Sequence, residues 1–186
     1  HTMRNLIWRT LAWVLTRFDS ASWLHAISWP YTHIIGPDGS LYMRRFWLFN
    51  PYTPWYGVRW PRLPSVRLHH IMRPDTARHL HDHPWVARTI VLRGWYTEDR
   101  REPVDAGAFL PDGHVVTHRL RSLGYTGTLS PHDFHAITDV SPGGAWTLFF
   151  TWGKSQTWGF LVNGVKVPYR EYLGDDMEAL DRGGKA

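Results

Sequence analysis

Residues 78–85 read Arg-His-Leu-His-Asp-His-Pro-Trp and place three imidazoles within five positions. In an extended strand alternate side chains share a face, so we expect His81 and His83 to point the same way and to lie close together. Neutral imidazoles suit a divalent transition metal, because each offers one nitrogen lone pair. The stretch therefore predicts two ligands of a metal site, and a third ligand has to come from elsewhere in the chain.

The composition narrows the class of protein. The 186 residues fit one domain that can bury a core. The absence of cysteine excludes disulfides, thiolate zinc sites and cysteine nucleophiles. The formal charge is +5, but the arginines are scattered and no nucleic-acid-binding motif accompanies them, which argues against nucleic acid as the main partner. The 12 Trp, 8 Tyr and 8 Phe fit either an aromatic core or a pocket walled by rings.

From residue 65 onward, short strand-like runs alternate with turn signals. With one earlier run included, the predicted strands are 41–48, 66–72, 86–92, 115–120, 125–129, 136–140 and 146–151. Asn163-Gly164 predicts a type I′ hairpin turn within 160–167. Many short strands at this spacing indicate an all-β sandwich or barrel rather than a parallel α/β sheet.

The N-terminal part has a different pattern. Between residues 4 and 18, apolar side chains recur at helical spacing, namely Ile7, Leu11, Val14, Leu15 and Phe18. The stretch is too short and too charged for a membrane span, so it predicts an amphipathic helix packed on the domain. A membrane-surface or partner-binding helix is the alternative. We expect no transmembrane segment and a cytoplasmic location.

The chain therefore divides into three predicted parts. Residues 1–64 would form the N-terminal helix and an aromatic-rich extension packed on the barrel. Residues 65–168 would form the barrel, and residues 169–186 a short helix and tail.

The paired histidines and a later glycine resemble the first motif of the cupin superfamily of small β-barrels. That motif reads Gly, five residues, His-x-His, three or four residues, Glu, six residues, Gly. His81 and His83 fill the paired histidines and Gly94 fills the terminal glycine. Ala87 stands in the Glu position and Asp75 in the leading Gly position, so the site lacks the carboxylate of the motif.

A second stretch resembles the other cupin motif, Gly, five residues, Pro-x-Gly, two residues, His, three residues, Asn. Gly124, His135 and Asp139 fill the first glycine, the histidine and the Asn position. Ser130 and His132 replace the Pro and Gly. The HDHPW string, with Gly-Trp-Tyr-Thr-Glu after it, also looks like a group of uncharacterised cupins from bacteria and phages.

The resemblance spans residues 66–153 and implies a single cupin barrel, a jelly roll, with His81, His83 and His135 as metal ligands. Three neutral ligands leave two or three positions open for water, substrate or dioxygen. Three-histidine cupin sites occur among thiol dioxygenases, so the resemblance favours iron as the functional metal. Zinc and nickel stay open, because three histidines and a water form a common zinc shell and affinity order favours nickel or zinc over iron.

Three functions remain open. The first is a small-molecule metalloenzyme of the three-histidine, iron-dependent oxygenase type. The second is a metal-dependent isomerase, lyase or decarboxylase that uses the ion as a Lewis acid. The third is a non-enzymatic, metal-stabilised cupin that binds a ligand or partner, and fold alone does not decide among the three. Because cupins often pair through sheet edges, we also expect a homodimer.

Other polar residues are candidates for completing the site. Glu98 would be a general acid or base if it faces inward. Arg73 would bind a substrate carboxylate, although a solvated strand end is its alternative role. Trp85 would wall the pocket. The residues expected behind the ligands, some with turn capping as an alternative role, are His79, Asp82, His132 and Asp133.

Overall fold

Eleven strands and one short helix make up most of the part of the chain that the structure, a computed structural model, describes. The described residues are 31–36, 38–51, 60, 62–103 and 114–174, with five separate positions at 6, 9, 10, 13 and 14. The strands are β1 (Tyr31–Ile35), β2 (Leu41–Phe49), β3 (Ser65–Ile71), β4 (Trp85–Arg93), β5 (Trp95–Pro103), β6 (His114–Ser122), β7 (Thr126–Leu129), β8 (His135–Val140), β9 (Ala145–Lys154), β10 (Gly159–Val162) and β11 (Val165–Pro168). The helix, α1, spans Tyr169–Leu173.

The strands form two main antiparallel sheets and a separate hairpin. The large sheet has the order β1-β2-β3-β9-β4-β7, the small sheet has the order β6-β5-β8, and β10 pairs with β11. Neighbours such as β3 and β9, or β5 and β8, are far apart in the sequence, so long crossovers connect the sheets. This order confirms the prediction of an all-β jelly-roll architecture.

A hydrophobic core joins the two sheets. The large sheet contributes Met43, Ile71, Val91 and Ala145, and the small sheet contributes Tyr96 and Ile137, all of them buried. These side chains alternate along their strands with residues of the opposite face, as a two-layer architecture requires. Four of these core side chains, Met43, Ile71, Tyr96 and Ile137, also line the cavity described below.

All seven predicted strands correspond to observed strands, but β1 and β5 were not predicted. Strand β5 carries five charged residues in succession, from position 98 to position 102, and such residues are depleted in strands. It is nevertheless the central strand of the small sheet. Its charges are matched across the ladder, for example by the Glu102–Arg119 ion pair at 2.7 Å, and a single sequence does not reveal such partners.

The predicted ends of the chain are described only in part. The five described N-terminal positions are helical, and three of their apolar side chains, Leu6, Trp13 and Val14, are exposed. The other predicted core positions of that helix lie outside the described residues, so its packing on the barrel stays a prediction. Among the described residues, no helix is long and apolar enough to cross a membrane.

The rest of residues 1–64 and the C-terminal segment can be compared with the prediction more directly. Strands β1 and β2, which the sequence assigned to the extension, form one side of the large sheet. The C-terminal helix is observed over Tyr169–Leu173, and residues 175–186 lie outside the described part. Asn163 and Gly164 have φ values of 51° and 79°, as the predicted type I′ turn requires.

Gly94, the terminal glycine of the first motif, lies at the turn between β4 and β5 with φ of 71°. A Cβ atom there would come within 2.5 Å of Ser141 Oγ and 2.6 Å of the Gly144 carbonyl oxygen. Gly124, with φ of 81°, faces open space and so provides a matched control. We expect Gly124→Ala to lower the free energy of unfolding by about 1 kcal/mol, through left-handed backbone strain alone.

We expect Gly94→Ala to lower the free energy of unfolding by about 3 kcal/mol, because steric overlap of the new Cβ atom adds to the same backbone strain. Urea denaturation followed by circular dichroism measures both variants. Equal losses in the two would contradict the close packing at Gly94.

Candidate metal centre

His81 and His83 lie in the loop before β4, and His135 is the first residue of β8. The backbones of His81 and His135 form an isolated antiparallel bridge with two N–H···O bonds of 2.9 Å each. The expectation that His81 and His83 occupy a strand is therefore wrong. Pro84 separates them from β4, and a proline has no N–H with which to continue a ladder.

The three imidazoles converge on one point. The ring centroids are 5.1 Å apart for His81 and His83, 5.0 Å for His81 and His135, and 5.1 Å for His83 and His135. One nitrogen from each ring lies within 4.8 Å of the others, and Nε2 of His83 is 2.9 Å from Nε2 of His135. Nitrogens that share a tetrahedral ion at about 2.1 Å are about 3.4 Å apart, so this three-histidine group needs only small adjustments to bind one.

His81 and His83 are in a suitable protonation state for binding a metal. Burial is the main cause that lowers the pKa of His81 to about 4, and the neighbouring His135 adds to it. Burial, then His135 and His81, hold the pKa of His83 well below its ordinary value. Both rings are therefore neutral at pH 7 and carry the lone pair that a metal ligand needs.

Glu98 lies behind His135, away from the other two rings. Its Oε1 accepts a hydrogen bond from Nδ1–H of His135 at 2.8 Å, and its Oε2 accepts one from Arg121 Nε at 2.9 Å. Because the proton of His135 is on Nδ1, Nε2 carries the lone pair that faces the centre. Burial opposes ionisation of Glu98, but the bonds from His135 and Arg121 outweigh it and lower the pKa of Glu98 to about 2.

Asp75 is a second carboxylate near the group, and sequence reasoning noted it only as a departure from the motif. Its Oδ2 lies 3.9 Å from Nδ1 of His81 and accepts a hydrogen bond from the Ile137 backbone N–H at 2.7 Å. Asp75 therefore links the loop before β4 to strand β8. The only sign of Asp75 in the sequence was that it stands in the position of the leading glycine of the first motif.

The predicted pocket residues Trp85 and Arg73 both line the cavity that contains the three histidines. The indole of Trp85 stacks on His83 with centroids 4.4 Å apart and an interplanar angle of 9°. The guanidinium of Arg73 donates to Asp38 at 3.4 Å and to the Pro74 carbonyl at 3.1 Å. Trp85 thus covers one ligand, whereas Arg73 is held at the rim.

Two of the residues predicted behind the ligands, His79 and Asp82, have other partners. His79 Nδ1 lies 2.8 Å from the Tyr172 hydroxyl. Asp82 is fully buried, accepts from the Gly159 backbone N–H at 2.7 Å and pairs with Lys166. Both side chains therefore fasten the C-terminal hairpin and helix to the loop that carries the ligands.

The other two, His132 and Asp133, lie in the turn before β8. Asp133 accepts a hydrogen bond from the Ser130 backbone N–H at 2.6 Å and pairs with Arg100. Asp133 therefore caps the turn, which was the alternative to a role behind the ligands. His132 is exposed. The residue that lies behind His135 is instead Glu98, on strand β5, which was not predicted. Proximity in the sequence to a histidine therefore did not identify it.

Ala87, in the position of the missing carboxylate, is fully buried and packs with Leu129 and Phe149. The cavity beside it has a volume of about 1290 Å³. Its wall includes the three-histidine group, Glu98 and several aromatic rings. The space is therefore large enough for a small organic molecule next to the histidines.

Comparisons with known proteins concern the fold alone. No family model and no curated protein sequence matches the chain. The vicilin of Corylus avellana (hazelnut) matches in structure at 12% identity over 73% of this chain and 34% of that chain, with a TM-score of 0.48. FeII HppE matches at 15% identity over 68% of this chain and 57% of that chain, with a TM-score of 0.46.

A third solved structure is Streptomyces albus HEPD with 2-hydroxyethylphosphonate and Fe(II) bound. It matches at 16% identity over 70% of this chain and 25% of that chain, with a TM-score of 0.45. The chain thus spans less than two thirds of each of these proteins.

Two antiparallel sheets connected by crossovers, together with three convergent histidines, define an all-β jelly-roll protein with a group that could hold a metal ion. The all-β fold class predicted from the sequence is thereby confirmed.

Replacement of Glu98 tests how His135 is held. Glu98→Gln leaves the Arg121 charge buried without its carboxylate, so we expect the free energy of unfolding to fall by about 3 kcal/mol at pH 7. Metal affinity should fall about tenfold or more, because His135 loses the anionic acceptor that fixes its ring. Urea denaturation and competition with a chelator measure the two effects.

Glu102→Gln is the matched control, since Glu102 lies on the same strand and pairs with Arg119 at the surface. Glu102→Gln should lower the free energy of unfolding by less than about 1 kcal/mol. The depressed pKa of Glu98 stabilises the fold above its ordinary value of 4.5, and this contribution disappears as the pH falls toward 2. The stability gap between wild type and Glu98→Gln should therefore narrow across that window; a gap that stays constant would contradict the ionised pair.

Proposed function

We propose that the protein is a metal-dependent cupin that acts on a small molecule, with His81, His83 and His135 as the ligands of a divalent transition metal. The observation that carries the proposal is the nearly equilateral arrangement of three imidazoles at the wall of a large cavity. A structural histidine seldom faces two others with its lone pair, whereas a metal site requires this arrangement.

The residues around the group support a catalytic rather than a purely structural ion. Three protein ligands leave open positions, which is the pattern of catalytic sites, and structural sites are closed by four. Trp85 covers His83, and the rings of Trp158 and Phe160 lie 6.2 and 6.0 Å from that of His81. These rings reduce the access of water to the positions that a substrate would occupy.

Within this proposal, an iron-dependent oxygenase is the activity that we favour. When bound, such an ion supplies Lewis acidity and, as iron, redox chemistry with dioxygen. The chain's own residues hold and orient it: Glu98 fixes the ring of His135, and the Trp85 indole limits rotation of His83. Since Ala87 stands in the position of the motif's glutamate, the three protein ligands would contribute no negative charge to the ion.

Removal of one ligand tests the metal site. His135→Ala should abolish stoichiometric binding of the ion while the protein stays folded, because two imidazoles alone rarely retain a metal. His132→Ala is the matched control, three residues away and exposed. Elemental analysis of purified protein, with circular dichroism for folding, gives the answer, and full metal content in His135→Ala would show that the third ligand is wrongly assigned.

The reaction class follows from the metal and from oxygen uptake. We expect protein loaded with iron(II) without air to consume dioxygen in the presence of a substrate from a panel of small acids, thiols and alcohols. The zinc-loaded protein is the control and should consume none. Conversion of a substrate by the zinc form without oxygen uptake would instead identify an isomerase, lyase or decarboxylase, and wild-type protein that binds no ion would exclude all of these enzymes.

A further inference from the structure

The N-terminal segment, residues 4–18, exposes apolar side chains at its described positions. These positions are 6, 9, 10, 13 and 14, and all five are helical and exposed. Because they are three or four residues apart, they lie on one face of a helix, which we call the exposed helical face. Leu6, Trp13 and Val14 are 64%, 61% and 48% exposed, so three of the five positions present a large apolar side chain to solvent. Such a cluster, unlike a single exposed apolar residue, indicates an interaction surface.

The sequence of this segment also places apolar residues away from the exposed helical face. On an ideal helix, positions 7, 11, 15 and 18 are centred about 120° around the axis from that face. These positions hold residues that are predicted to pack on the domain, namely Ile7, Leu11, Leu15 and Phe18. A surface helix needs only one apolar stripe to pack on its own domain. Leu6 and Trp13 on the exposed helical face therefore indicate a second apolar contact.

The segment is cationic as well as apolar. It contains Arg4, Arg9 and Arg17, and no aspartate or glutamate occurs among residues 1–18. Arg9 belongs to the exposed helical face, where Trp13 follows it by one helical turn. The formal charge of the whole chain, +5, has the same sign. Electrostatic attraction therefore favours an anionic partner for this face.

The same charge disfavours a second copy of this chain as the partner. In a twofold-symmetric contact the exposed helical faces of two copies would meet, and each copy would bring the same arginines to the contact. Like charges that are placed against each other in an interface repel. An anionic surface is instead attracted by each guanidinium group of the segment.

The side chains of the exposed helical face fit the surface of a lipid bilayer. Tryptophan is enriched where lipid headgroups meet acyl chains, because its ring is apolar and its indole N–H is polar. Aliphatic side chains insert into the adjoining acyl region, and an arginine beside them extends its guanidinium to the lipid phosphates. The face supplies all three kinds of group with Trp13, Leu6, Val14 and Arg9. This combination is typical of a helix that lies in the plane of a membrane surface.

We propose that the N-terminal segment is an interfacial helix that binds an anionic lipid surface. Leu6, Trp13 and Val14 insert below the headgroups, and Arg9 binds the lipid phosphates. The contact involves no residue of the three-histidine group, so it is independent of the proposed function. The protein would therefore bind lipid with or without a metal ion.

Co-sedimentation of the full chain with vesicles tests the proposal. One set of vesicles consists of phosphatidylcholine alone, and the other set also contains about 30% phosphatidylserine. We expect the protein to bind the anionic vesicles about tenfold or more tightly than the neutral ones, because the arginines of the segment are attracted to the negative surface. Added salt should reduce this difference, since it screens the attraction.

Two variants of the exposed helical face locate the contact. Trp13→Gln removes the ring and should weaken binding to the anionic vesicles about tenfold, and Arg9→Gln removes one charge and should weaken it about fivefold. Both positions are exposed, so both variants should keep the circular dichroism spectrum of the wild type.

Leu120→Gln and Arg93→Gln are the matched controls. Leu120 is 62% exposed on β6, and Arg93 is exposed at the end of β4. They remove an apolar side chain and a charge of the same kinds from other parts of the surface. Each control should change the affinity for the anionic vesicles less than about twofold.

The outcomes distinguish a lipid surface from other partners. Binding to neither set of vesicles, or equal affinity for both, would overturn the anionic lipid surface. Wild-type affinity in both Trp13→Gln and Arg9→Gln would overturn the assignment to the exposed helical face. Sedimentation equilibrium without lipid tests the second copy: a dimer that Trp13→Gln dissociates, in protein that binds no vesicles, would identify another copy of the chain as the partner instead.

Discussion

The backbone bridge between His81 and His135 is the contact on which the site depends. It fixes the loop before β4 against the first residue of β8 with two hydrogen bonds of 2.9 Å. The same loop pairs on its other side with β10, where His81 bridges to Phe160. Because β8 belongs to the small sheet and β4 to the large one, the bridge sets the distance between ligands that come from separate parts of the sequence.

Buried charges hold this loop in place, and each has partners on more than one element. Asp82 accepts from the Gly159 backbone and from Gln156, and it pairs with Lys166. Glu98 is shared between His135 and Arg121. Buried ionic groups add little net stability compared with apolar residues, but the loss of one partner is costly. Their effect is therefore to fix one arrangement of the ligand loop rather than to add to the overall stability.

The sequence predicted the parts of the molecule that local patterns encode. The spacing of the motifs predicted that His135 lies with His81 and His83, and the hydrophobic and turn patterns predicted seven of the strands. Local patterns did not predict strand β5, because the run of charged residues in this strand is typical of an exposed segment. The role of Glu98, which lies in that run, could not be predicted for the same reason. What makes it a strand is the ladder to β6 and β8, which supplies Arg121 and His135 as partners, and such long-range pairing has no local signal.

The charged side chains around the three-histidine group lie beside the ligands rather than among them. His81 and His83 are neutral at pH 7, and Ala87 supplies no charge at the position where the motif has glutamate. Glu98 is neutralised by Arg121, so it does not offset a bound divalent ion. Asp75, whose Oδ2 lies 3.9 Å from Nδ1 of His81, is the second carboxylate beside the ligands. The two carboxylates near the group therefore stand beside His135 and His81, where each also binds a second element, and the Ala87 position adds none. The protein thus uses its acidic side chains here to position imidazoles, and an ion at the group would meet nitrogen ligands from the chain.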